Sequence, residues 1–502
     1  MRNASRDSRF RLGWTLALTS LAFFMVGLDA LVVVTALPAI HRDLGASLAS
    51  LQWTVNAYSL AWAASITTAA ALGDRYGRRR WFAIGLTLFA FASAACALAP
   101  NIQILVASRV AQGIGAALIM PLSLTILTSA FGPERRGAIV GIWGGIAGIA
   151  VAAGPLIGGV ITQSLTWHWI FWLNVPLGIL AAVLSLRQLS ETMGPPTQLD
   201  LIAVALVSGG AVGIVLGLVQ GSTLGWTSAV TIAALGGGVV LMASFVAWEL
   251  RAPAPMLPMR LFRNVSFSAA NTTGFFQSAA VFGGIFLVTQ YFQLAVRNSP
   301  FDTGLRLLPW TGGPLLLAPL AGALSDRVGR RPLLVSGMLL QAASFVWFAW
   351  LVSASVEYWR LATPMALTGI GVAMVLPVAP TAALSAVERE DMGKASGVNS
   401  TVQRFGGAFG VAVATSVFAA FGSLDSPIAF VAGFRPSFTM VAGLAVIGAL
   451  AAFGVSNPRP MPRTFSTPGT GVAPTLSTVR ACDPHPEVRE PGSAAHIQAE
   501  AT

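Results

Sequence analysis

The chain has 502 residues, 55% of them hydrophobic and only 10% charged, against roughly 25% charged in soluble domains. With a mean hydropathy of +0.72 it reads as an integral membrane protein. Its net charge of +11 sits in loop clusters with a topological explanation, so no nucleic-acid partner is expected.

In chain order, the N-terminus MRNASRDSRFRLGW begins basic and runs into an apolar stretch of over 20 residues. Because many such stretches follow, it reads as an uncleaved first span rather than a signal peptide. Segments long enough to cross a bilayer begin near Leu12, Leu51, Trp81, Ile102, Gly137, His168, Leu199, Ser228, Phe267, Thr303, Leu333, Trp359, Ala395 and Phe434, fourteen in all. An even count returns both termini to one side.

Basic residues choose that side. The loops after even-numbered spans carry Arg75, Arg78, Arg79, Arg80, Arg135, Arg136, Arg187, Arg251, Arg260, Arg263, Arg327, Arg330, Arg331, Arg389 and Lys394; the opposite loops carry Arg42, Arg297, Arg306, Arg360 and Arg435. Fifteen against five places the first set and both termini in the cytoplasm of a plasma-membrane protein. Cys96 and Cys482 then fall on opposite sides, which excludes an internal disulfide, and no metal-ligand spacing occurs.

Two charges stand inside spans. Asp29 lies in LAFFMVGLDALVVVTALP and Arg109 in LVASRVAQGIGAALIMP. If Pro38 and Asn101 mark the same membrane face, each charge lies about 13 Å below it, near the middle of a ~30 Å core. Intramembrane charges face a cavity or a partner, so the two are expected to meet, either as a working pair or as a fixed structural one.

An internal repeat follows: GDRYGRRR, Gly73 to Arg80, returns as SDRVGRR, Ser325 to Arg331, with Asp74 and Asp326 separated by 252 residues. That spacing divides the all-α chain into a six-helix bundle (1–190), two additional spans with cytoplasmic linkers (191–264), a second six-helix bundle (265–456) and a proline-rich disordered tail (457–502).

These loops resemble the cytoplasmic signature of the major facilitator superfamily. The resemblance implies gating roles for Asp74, Arg75, Arg78, Asp326, Arg327 and Arg330. Leu105, Arg109, Gln112, Gly113 and Gly115 look like the family's fourth-span motif, whose arginine serves proton coupling. Gly154-Pro155-Leu156-Ile157-Gly158-Gly159, preceded by Gly141, resembles the fifth-span motif associated with antiporters; Ala150 replaces one glycine of it. Leu28-Asp29 through Ala36-Leu37-Pro38 is similar to the first-span motif of the fourteen-span drug:proton antiporters, with Leu31 and Val34 where that branch commonly has threonine and asparagine.

The resemblance implies a major facilitator fold and proton-driven efflux of lipophilic small molecules, with antibiotic resistance as the outcome. Asp29 and Arg109 would couple the proton. Asp29, Gln52, Trp62, Gln277 and Trp310 are candidate cavity residues, though polar residues and aromatics inside spans also serve plain helix packing. Trp143 is a further candidate stacking surface and Arg404 a cation deep in the thirteenth span. Asp29 being the one deep carboxylate, neutral or singly cationic drugs are expected over dications.

A dedicated exporter of one endogenous metabolite, antibiotic or lipid would read the same; a non-transporting sensor would have no need of two buried charges at one level. No enzyme is expected: the stretch Gly393-Lys394-Ala395-Ser396 lacks a phosphate-binding loop's upstream glycine and following hydroxyl, and His41, His168, His485 and His496 form no catalytic set. The partners expected are therefore a drug or antibiotic, protons and the lipid bilayer, with no cofactor or metal, and the chain is expected to act as a monomer.

Overall fold

The computed structural model describes residues 2–131, 153–194, 200–252, 259–353, 356–388 and 391–457, with 146, 149, 150, 255 and 257 between them. Arg135, Arg136, Gly141, Trp143, Arg389 and the tail from 458 lie outside the described residues, as does the side chain of Asp326.

The described residues form helices joined by short turns. The first bundle holds α1 (Arg2–Leu44), α2 (Leu48–Tyr76), α3 (Arg78–Ala97) and α4 (Ile102–Ala130), then α5, described over 153–164, and α6 (Trp169–Gln188). Two further helices, α7 (Leu201–Leu224) and α8 (Ala229–Glu249), precede the second bundle. That bundle holds α9 (Val265–Ala295), α10 (Pro300–Val328), α11 (Arg330–Leu351), α12 (Tyr358–Ser385), α13 (Met392–Phe421) and α14 (Pro427–Ala452).

Twelve of the described helices are long and apolar enough to cross a membrane. The 29-residue α2 matches them in length but is diluted by Gln52, Thr54, Asn56 and Ser59. With α5 the set is consistent with fourteen spans. Helix starts follow side-chain caps: Asn101 accepts from the Ile104 N–H at 3.0 Å to open α4, and Ser299 accepts from Asp302 at 3.0 Å to open α10.

Three ends differ from expectation. Pro38 does not close α1, which continues to Leu44, since a proline removes one i→i−4 bond without forbidding the next turn. The last helix starts at Pro427 rather than near Phe434: Arg435 reads as a boundary charge, but its Nη2 donates to the Val352 carbonyl at 2.9 Å inside the bundle. The twelfth span breaks at Leu376 and Pro377 before a final turn from Val378 to Ser385.

Within the first bundle α4 packs on α1, α2 and α3, while α6 packs on α1 and α3; in the second, α9 meets α13 and α14, and α11 meets α12 and α14. The bundles touch through α2 against α13 and through α1 against α9 and α10. At the face opposite the Gly73–Arg80 loop, Gln293 Nε2 donates to the Thr35 carbonyl at 2.8 Å and the Phe301 N–H to Gln163 Oε1 at 3.2 Å. The extra pair sits to one side: α7 contacts both α2 and α13, whereas α8 lies against α7.

Candidate functional site

Asp29 and Arg109 meet. Arg109 reaches across from α4 and its Nη1 donates to Asp29 Oδ2 on α1, with both side chains about 1% exposed or less. The longer α1 does not spoil the match in depth, because its extra turns protrude past the end of α4.

The pair is held by neutral amides. Gln112, one turn beyond Arg109, accepts from the same Nη1 at 2.6 Å and donates from Nε2 to Asp29 Oδ1 at 2.8 Å and to Ser93 Oγ at 2.9 Å. Asn174 of α6 donates to Asp29 Oδ1 at 3.1 Å. Arg109 Nε donates to the Thr54 carbonyl at 3.1 Å, and its guanidinium lies 4.1 Å from the Tyr58 ring centre. Two helices besides α1, α4 and α6, therefore bond the carboxylate, while α2 and α3 hold Arg109 and Gln112 in turn. It accepts three hydrogen bonds, one of them from a cation. Chemically, this is one carboxyl group whose partners come from α4 and α6.

Sequence reasoning did not single out Asn174, Ser93 or Thr54. Asn174 is the sole amide in IFWLNVPLG, a polar residue where lipid would exclude it, and that was its available signal.

The glycines of the fourth and fifth spans explain the close approach. A Cβ at Gly113 would enter the α2 backbone at Tyr58 and Trp62; one at Gly115 would lie 2.9 Å from the Phe89 nitrogen of α3. On α5, a Cβ at Gly154 would meet Leu31 Cβ at 2.8 Å, and one at Gly158 would meet Val32 and Thr35, so both face α1. Gly159 faces Pro300 of α10, and Pro155 faces Gly304 of the same helix. At Ala150, the replaced glycine, the small residue has moved to the partner: Gly27 of α1 lies opposite.

The repeated loops adopt matching conformations. Gly77 and Gly329 both take positive φ, 110° and 99°, which a side chain would strain. In the first copy Asp74 Oδ1 accepts from Arg78 Nε at 2.8 Å, and Glu191 accepts from the Arg79 N–H at 2.9 Å while lying near the Arg79 and Arg80 guanidinium groups. In the second copy Asn457 accepts from the Arg331 N–H at 2.9 Å. Each loop is thus capped by a residue following the last helix of its own bundle. Glu191 and Asn457, read as a linker residue and a tail residue, belong structurally to the bundles. Arg75 and Arg327 are exposed, and neither forms an ion pair among the described residues; Arg330 is half-buried.

The cavity candidates do not form one cluster. Gln52 and Trp62 are buried on α2, and the Arg404 guanidinium covers the Trp62 ring at 3.5 Å. Gln277 accepts from Gln341 Nε2 at 2.9 Å inside the second bundle. Trp310 is 2% exposed, packed against Gly284 and Phe345.

Comparison with known proteins agrees with this architecture. The family model for the Major Facilitator Superfamily matches residues 19–308 and 270–484. The chain belongs to that superfamily, and is a multi-pass membrane transporter. It is 37% identical over 401 residues to the tetracenomycin C resistance and export protein of Streptomyces glaucescens, covering 80% of this chain and 74% of that one. It is 38% identical over 409 residues to the multidrug resistance protein Stp of Mycobacterium tuberculosis, covering 81% and 76%. Among solved structures, a bacterial homologue of the human lysosomal transporter Spinster, inward-facing and occupied, superposes with a TM-score of 0.67 at 15% identity, covering 88% of this chain and 96% of that one. That likeness shows the fold alone.

Proposed function

We propose that this transporter exports lipophilic drugs or antibiotics across the plasma membrane in exchange for protons, with both termini in the cytoplasm. The observation that carries the reading is the buried carboxylate of Asp29, held by Arg109, Gln112 and Asn174 from two helices. Export is supported by the resistance and export proteins that cover most of the chain. The orientation rests on the fifteen-to-five distribution of basic residues.

In this reading Asp29 carries the proton and Arg109 sets when it leaves. With α4 and α6 drawn against α1, the guanidinium and amides favour the carboxylate and release the proton inward. With the helices parted, burial without its partners favours the neutral acid, which loads from outside. Each positive charge crossing the full field contributes about 2.3 kcal/mol per 100 mV. The fifth-span glycines keep α5 close enough to α1 and α10 to transmit that movement, and Asp74, Arg78 and their second-bundle counterparts bias which face is open.

The test is transport in everted membrane vesicles energised to an acid interior. Drug accumulation that collapses with a protonophore supports the reading. Accumulation that persists without a proton gradient, or net movement in the opposite direction, overturns it.

A further inference from the structure

Arg404 is the intramembrane cation that the Asp29 network does not use. It lies ~18 Å along α13 from Met392 at 1.5 Å per residue, and its guanidinium stacks 3.5 Å from the centre of the Trp62 ring on the other bundle. Among the described residues no carboxylate pairs with it: Asp29 is taken by Arg109, while Asp391 at the start of α13 pairs with Arg260. Stacking on tryptophan contributes about 2 kcal/mol when desolvated. Arg404 is half-buried, and the part of it removed from water lacks a counter-charge. The stack alone does not balance the charge.

The surroundings are also short of partners. Trp62 Nε1 and Thr401 Oγ1 are buried without a hydrogen-bond partner among the described residues. Thr401 is one turn from Arg404 on α13, and Trp62 carries the ring that Arg404 covers. Trp62 in turn meets Tyr58 edge-on at 5.6 Å, and the far side of Tyr58 is covered by Arg109. Two guanidinium groups thus bracket an aromatic pair, and with Asp29 ionised the cluster carries two positive charges against one negative.

We propose that Arg404 and Trp62 form the anion-recognition point of the substrate site, and that the transporter takes planar apolar molecules carrying one carboxylate or acidic hydroxyl. This rests on the export reading above. The planar fork of the guanidinium fits a carboxylate through two parallel hydrogen bonds, and the apolar body takes the ring face that Arg404 now covers. A bound monoanion brings the cluster to zero net charge. The sequence-based expectation of a neutral or singly cationic drug counted Asp29 as an available counter-charge; its three donors commit it, so a cation has to displace Arg109. Dications are disfavoured on both counts.

The test is equilibrium binding to the full-length protein in nanodiscs, with empty discs as reference. The probes are pyrenebutyrate, its methyl ester and the pyrenebutyl-trimethylammonium cation, which share one ring body. Pyrenebutyrate is expected to bind at least tenfold tighter than the cation. Arg404→Gln raises the pyrenebutyrate Kd at least tenfold while moving that of the ester less than threefold, and Arg404→Lys recovers part of the preference. A wild-type protein that prefers the cation, discriminates by less than threefold or binds none of the three overturns the proposal. So does an Arg404→Gln protein weakened equally for all three, which makes Arg404 a packing residue between α2 and α13. Should Arg404→Gln fail to fold, the wild-type ratio and Arg404→Lys decide. Because no gradient is applied, anion binding without proton-driven transport overturns the export reading alone, and proton-driven export of cations overturns this one alone.

Discussion

Asn174 Nδ2 lies 3.1 Å from Asp29 Oδ1, joining α6 to α1 across 145 residues of chain. Asp29 is thereby bonded to α6 as well as to α4.

Asp29→Asn keeps the volume and hydrogen-bonding shape of the side chain but removes its titration. Proton-driven accumulation of drug in everted vesicles is expected to vanish, with equilibrium drug binding retained within a few fold. Unchanged accumulation with the same pH dependence, at normal expression, places the proton on another group.

Asn174→Ala removes one donor to the carboxylate and leaves Arg109 in place. Proton-driven transport should fall, by less than in Asp29→Asn, with equilibrium drug binding retained. Transport at the wild-type rate would make Asn174 a packing residue only.

Gly158→Leu places a side chain into Val32 and Thr35 of α1. Transport should fall at least tenfold while the protein still folds, read by size-exclusion profile beside a transport assay. Gly237→Ala on α8 is the control, since nothing lies within 4 Å of its added Cβ. It should transport normally and be stabilised by up to about 1 kcal/mol, the usual glycine-to-alanine difference inside a helix.

Glu191→Gln keeps an acceptor for the Arg79 N–H but loses the charge facing Arg79 and Arg80. Those pairs are long, 3.5 and 3.7 Å, and partly exposed, so the change should cost no more than about 1 kcal/mol. Glu191→Ala also loses the cap and should cost about 1 kcal/mol more. Thermal unfolding at low and high salt separates the two: salt should narrow the gap between wild type and Glu191→Gln and leave the cap contribution standing.

Much of the site was legible because lipid makes polar residues conspicuous. Asp29 and Arg109 were readable as partners since each charge in an apolar run needs one, and the helix running past Pro38 to Leu44 does not alter that need. The fold was legible through span count and the loop repeat. What sequence did not reveal are the pairings that depend on which helix faces are turned together. Trp62 and Arg404 each stood out, but nothing in either neighbourhood says that they stack. Asn174 and Ser93 are ordinary buried amide and hydroxyl until α6 is seen to close on α1 and α3 on α4. Glu191 and Asn457 looked like linker and tail because a capping contact to a distant loop leaves no periodic trace.

The placement of α7 has a mechanical consequence. Its backbone is tied to α13 by Ser416, whose hydroxyl donates to the Leu218 carbonyl at 2.7 Å, and Gly210 and Gly213 nest tightly against Gly238 of α8. Ala211, Val215 and Val219 pack in an apolar cluster shared by Leu60 of α2 and by Ala408 and Ala412 of α13, so the contact to α2 is apolar while that to α13 also carries the hydrogen bond. If that hydrogen bond holds through the cycle, the added pair is expected to move with the second bundle and slide against α2. A disulfide engineered across α2 and α7 should arrest transport, whereas one across α7 and α13 should leave the machine turning.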